Sequence, residues 1–100
     1  MKVIAEISIM PLSSGSSIRN EVALAHDILR KTGCPVELHA AGTNIEGELD
    51  VVMDAIKRIH EELHAHGTAR AISDVRLETR VDKTDSLRER TEFMGRPAAH

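Results

Sequence analysis

Two histidines one helical turn apart, with glutamates between them, give His60-Glu61-Glu62-Leu63-His64 and match the pattern H-E-x-x-H. On a helix, such histidines share a face and can hold zinc while the glutamate polarises a water molecule. The surroundings speak for something simpler. The motif closes an apolar helical stripe just before Gly67, no third ligand follows at a fixed spacing, and His66 lies too close along the helix end. Histidines there sit at the negative end of the helix dipole, where partial positive charge is favourable. The expected metal ligand set is therefore none, with a metal-binding enzyme using His60 and His64 kept as the alternative.

Three further groups carry chemistry. Ser13-Ser14-Gly15-Ser16-Ser17 precedes a helical pattern, so its backbone N–H groups could hold an anion. It lacks the lysine and glycine spacing of a P-loop, and helix capping accounts for it. Cys34 lies in a Gly-Cys-Pro turn with no fixed histidine partner, which leaves it without nucleophilic activation. The segment Gly42-Thr43-Asn44-Ile45-Glu46-Gly47-Glu48 is more informative. Turn chemistry explains its glycines. It does not explain why Asn44 and Glu46 point to the same side, beside Glu6 and Ser8 on a neighbouring strand. A carboxylate with an amide and a hydroxyl can recognise an aminopyrimidine or a cationic ring through paired hydrogen bonds.

The elements that must position these groups follow from the hydrophobic pattern. Val3 to Leu12 alternates, with Val3, Ala5, Ile7 and Ile9 on one side, and reads as a strand stopped by Pro11. Ile18, Val22, Ala25 and Leu29, widened by Leu24 and Ile28, form a helical stripe that ends at Gly33. Val36 to Ala41 is a second strand with Leu38 inward and His39 outward, and Thr43 to Glu46 a short third. Leu49, Val52, Met53, Ile56, Ile59 and Leu63 mark a second helix, and Ala69 to Val81 a last long strand. This order is that of the ferredoxin-like α+β fold, βαββαβ, with a four-stranded antiparallel sheet and two helices on one face. Residues 1–82 form this domain and 83–100 a C-terminal arm or tail. The other sheet face, carrying Ile4, Glu6, Ser8, Met10, Glu37, His39, Asn44, Glu46, Arg76 and Glu78, is left bare and suits a partner or a ligand.

Composition removes other classes of function. Phe93 is the one aromatic residue in 100, so bases have no stacking platform. The net charge is −3 and the 13 lysines and arginines are scattered, so no basic stripe faces a nucleic acid. Apolar runs are too short to cross a bilayer. A single cysteine and no signal-type segment after Met1 make the cytoplasm the expected location.

Ile4-Ala5-Glu6-Ile7-Ser8-Ile9-Met10-Pro11-Leu12, then Gly42 to Glu48, then Ile59-His60-Glu61, resemble the small thiamine-binding protein family of bacteria and archaea. The resemblance runs from the first strand through the last. It implies a ferredoxin-like protomer assembled into a homodimer or homotetramer. It also implies that thiamine, or its hydroxymethylpyrimidine part, binds at or near a subunit interface without chemical change and without a further cofactor. Carried over by position, Glu6, Ser8, Thr43, Asn44 and Glu46 are the expected ligand-binding residues. With no tryptophan or tyrosine, Phe93 or aliphatic chains such as Ile4 and Met10 would sandwich the ring. A structural or regulatory homo-oligomeric module without a small ligand stays open as a second alternative.

Overall fold

The computed structural model describes residues 1–12 and 18–81, so the polar turn at 13–17 and the expected arm at 83–100 lie outside the described residues. Six elements follow in the expected order: β1 (Lys2–Leu12), α1 (Ile18–Arg30), β2 (Val36–His39), β3 (Gly42–Glu48), α2 (Leu49–Ala65) and β4 (Arg70–Thr79). The strands form one antiparallel sheet in the order β2-β3-β1-β4. Alternation along β1 decides the layering. Val3, Ala5 and Ile7 are buried beneath the helices, while Ile4, Glu6 and Ser8 between them stay half-exposed. Ile45 of β3, Ala25, Ile28 and Leu29 of α1, and Val52, Ala55, Ile59 and Leu63 of α2 complete a core that is aliphatic among the described residues. Each fully buried branched chain contributes about 1.5–3 kcal/mol.

The ends of α2 show how backbone groups are satisfied. At its start, the Glu48 side chain caps no backbone group. Instead the Leu49 N–H donates to the Met1 carbonyl at 2.9 Å, and the terminal ammonium donates to Glu48 Oε2 at 2.9 Å. That hydrogen bond, and the ammonium charge behind it, hold the Glu48 carboxyl below its ordinary range. At the other end, Gly67 (φ +101°) lets Thr68 N–H reach the Leu63 carbonyl at 3.0 Å, and Gly67 N–H reaches that of His64 at 3.1 Å. This double bond pattern is a Schellman closure, which needs a left-handed residue at its turn. It buries Thr68, whose hydroxyl donates to the equally buried Glu21 of α1 at 3.2 Å.

Several expectations change. Pro11 does not stop β1, which runs on to Leu12 in register with Arg70. Pairing with β3 has already ended at Ile7, so Pro11 occupies a stretch with a neighbour on one side only, where a missing N–H is tolerated. β2 ends at His39 rather than Ala41, and β3 spans Gly42–Glu48, running straight into α2. Leu38 lies on the helix side but is 55% exposed, because α1 does not reach over the hairpin tip. Val22 and Met53, placed on the inner stripes, are exposed flank residues, and Ala55 takes a buried position on α2. β4 stops at Thr79, leaving Val81 at 89% exposure.

Gly42 generates a prediction. Its φ is +153°, and a Cβ there would stand 2.6 Å from the Ile7 carbonyl oxygen. Gly33 has φ +81° but open space around it. Gly33→Ala should therefore cost about 1–2 kcal/mol, the backbone penalty alone. Gly42→Ala should cost clearly more in urea denaturation; equal losses would remove the close-approach account.

Candidate functional site

Strand register places the polar groups. Glu6 lies opposite Asn44 and Ile4 opposite Glu46, on the face away from the helices. Glu37 of β2 is opposite Asn44, and Arg76 of β4 is opposite Glu6. Four of the five expected residues, Glu6, Ser8, Asn44 and Glu46, thus share the open face. Thr43 does not. It is in register with Ile7 and Leu38, buried on the helix side with 6% exposure. A side chain next to Asn44 along a strand must point through the sheet to the opposite face.

His39 organises the open face. Its Nδ1 accepts the Ala41 backbone N–H at 3.2 Å. In the neutral ring the proton therefore belongs to Nε2, which donates to Asn44 Oδ1 at 3.0 Å and faces Glu6 Oε2 at 3.4 Å. With its oxygen so engaged, the Asn44 amide turns its nitrogen to Glu37 Oε1 at 3.4 Å. Glu46 is buried, with Lys2 Nζ at 3.9 Å. The result is a linked row of two carboxylates, an imidazole and an amide across three strands.

A cleft of about 160 Å³ opens where this row meets the hairpin tip. β3 begins at Gly42, opposite the middle of β1, while β1 continues beside β4 to Leu12. The overhang leaves a notch. Ser8 and Ile9 form one wall, Val22, Ala25 and Leu29 of α1 another, and Leu38 to Thr43 the third. Ser8, Thr43 and His39 are the polar residues in a mainly apolar lining, and His39 borders both cleft and open face.

The residues that sequence reasoning left out of the site are His39 and the apolar wall of Val22 and Leu38. The strand parity of His39 with Asn44 was a signal for the first. No pattern could have found the second, because both residues read as ordinary core. The H-E-x-x-H histidines are engaged in packing the helix end. His60 Nε2 lies 2.8 Å from Ser73 Oγ, and His64 Nδ1 donates to the Thr68 carbonyl at 2.8 Å. Among the described residues, no three His, Cys, Asp or Glu side chains form a group fit for a metal ion. These bonds predict opposite neutral tautomers: Nε2–H for His39 and Nδ1–H for His64. Long-range ¹H–¹⁵N correlation spectra at alkaline pH, where imidazoles are neutral, read them directly. Finding His39 as the Nδ1–H form would break the proposed row.

Comparison with known proteins is consistent across the chain. A UPF0045 protein of Synechocystis is 39% identical over 90 residues, covering 90% of this chain and 74% of the relative. The crystal structure of a hypothetical protein of Methanocaldococcus jannaschii superposes with a TM-score of 0.83 at 33% identity, over 94% of this chain and 96% of that one. A Thermotoga maritima protein, described as having a proposed role in thiamine biosynthesis or salvage, shares the fold at 17% identity. Its TM-score is 0.79, over 93% of this chain and 99% of that one. The family model for thiamine-binding proteins matches residues 5–94, and the chain belongs to that family.

Proposed function

We propose that this chain binds thiamine, or its hydroxymethylpyrimidine half, without changing it chemically, at a site completed by a second copy of the chain. The observation that supports this most is the cleft beside the middle of β1, where Ser8 and Thr43 meet an apolar wall and His39 leads to Glu6. A planar aminopyrimidine suits aliphatic walls with a few hydroxyl partners. Its volume of about 160 Å³ is small against the roughly 300–1,000 Å³ of complete ligand sites. One ring fits; the thiazolium would lie outside, toward the carboxylate of Glu6, where opposite charge is favourable. In this reading Ser8 and Thr43 fix the ring, Asn44 and His39 hold Glu6 in place, and Glu46 adds negative charge to the open face. Its free, half-buried cysteine, Cys34, fits a reducing compartment, and the cytoplasm is the proposed location.

Calorimetry tests this with thiamine and with hydroxymethylpyrimidine. Thr43→Val and Ser8→Ala should each weaken both ligands about five- to tenfold, the worth of one hydrogen bond. Glu6→Gln should weaken thiamine while leaving the uncharged pyrimidine unaffected. No heat from the assembled wild-type protein at about 1 mM of either ligand, a level that detects even weak binding, would sink the reading.

A further inference from the structure

Among the described residues, His39 is the one titratable side chain in the lining of the cleft. Its two ring nitrogens serve different surfaces. Nδ1 accepts the Ala41 N–H at 3.2 Å and so ties down the turn through Ala40 and Ala41, which is itself cleft wall. Nε2 turns outward, to Asn44 Oδ1 at 3.0 Å and Glu6 Oε2 at 3.4 Å. The Nδ1 bond exists only in the neutral ring. An imidazolium carries a proton on both nitrogens and accepts nothing. A proton taken up at Nδ1 would set two donors against each other, that N–H and the Ala41 N–H, and the turn must let go. Imidazoles make this change of charge between about pH 5 and 8.

We propose that His39 is a proton-operated latch on the cleft: neutral, it holds the 40–41 turn as a wall of the site; protonated, it releases that wall and adds positive charge beside Glu6. The latch deepens the proposed function, and rests on that reading for its ligand only. The groups around the ring give the sign. Glu6 of β1 faces Nε2, Glu37 of β2 is joined to it through Asn44 of β3, and Arg76 of β4 lies opposite Glu6. From α1 the cleft receives Val22, Ala25 and Leu29, which carry no charge. The carboxylates favour the proton, while Arg76 and the Ala41 N–H oppose it. Nε2–H keeps its partners in both states, so the change is confined to the Nδ1 side. A cation seated toward Glu6 acts in the same direction as Arg76. Ligand and proton therefore compete, and acid releases thiamine.

Two measurements test the latch. Without ligand, ¹H–¹⁵N spectra of the wild-type protein are followed from about pH 8 to about pH 5.5. The Ala41 amide proton should move upfield, and gain the steeper temperature dependence of a solvent-facing amide, with the midpoint of the His39 ring. That ring signal is the one missing from His39→Gln. With ligand, calorimetry over the same range should show thiamine affinity falling about three- to tenfold relative to His39→Gln, the worth of one hydrogen bond. The titration of thiamine itself is common to both proteins and cancels in the ratio. By reciprocity, saturating thiamine should lower the His39 midpoint by up to about one pH unit. An Ala41 amide that stays hydrogen-bonded while His39 titrates, or parallel affinity profiles for the two proteins, would overturn the latch. A shared midpoint with no thiamine binding at either pH would support the latch and count against the ligand reading alone.

Discussion

Much of the structure depends on one mismatch of strand length. β1 pairs with β4 from Val3 to Leu12 but with β3 only from Lys2 to Ile7. Its first half is therefore a central strand, buried on the helix side by Val3, Ala5 and Ile7. Among the described residues, its second half has one neighbouring strand and leaves an open flank. The cleft exists because β3 starts late, and Pro11 is tolerated for the same reason. Gly42 sits at the point where the two regimes meet, so close to the Ile7 carbonyl that a side chain there has no room.

The open face draws its order from the hairpin between β2 and β3. That hairpin is tight enough for the Ala41 N–H to reach His39, and this contact fixes which imidazole nitrogen carries the proton. The fixed proton then orients Asn44 and faces Glu6. Backbone geometry at the turn is thus transmitted, through one ring, to carboxylates on two strands. Such a row is held by hydrogen bonds more than by charge, since Glu6 and His39 are each about one-third exposed and water screens their attraction.

Much of this was legible in the residues themselves. Strict alternation in β1 and the stripe ending at Leu63 fix both periods, and Gly67 marks the end of α2 because only a left-handed turn closes it. The same alternation brings Glu6, Ser8, Asn44 and Glu46 to one face. Parity also sends Thr43 to the other face, where it reaches the cleft at the sheet's open flank rather than the polar row. Val22 and Leu38 were unreadable for a different reason. Whether an apolar residue at an element's end is core or cleft wall depends on how far α1 reaches over the hairpin, and that is a tertiary property with no local signal. His39 reads as one more outward residue until the turn beyond it is known to donate to its ring.

A domain of this size and composition has limited means to enclose a ligand. Small chains bury a modest fraction of their surface, and here two helices are spent covering one side of the sheet. With no tryptophan or tyrosine in the sequence, the walls among the described residues are aliphatic chains such as Val22, Leu29 and Leu38, which line a cleft without closing it. Among the described residues, the sheet face away from the helices stays uncovered. A second copy of the chain, as proposed for the ligand site, would supply the walls that one chain lacks. A cationic ring held partly outside one cleft would then meet negative charge from a surface larger than one chain can offer. The economy of the fold, one covered face and one uncovered, therefore leaves the proposed ligand site to be completed from outside the chain.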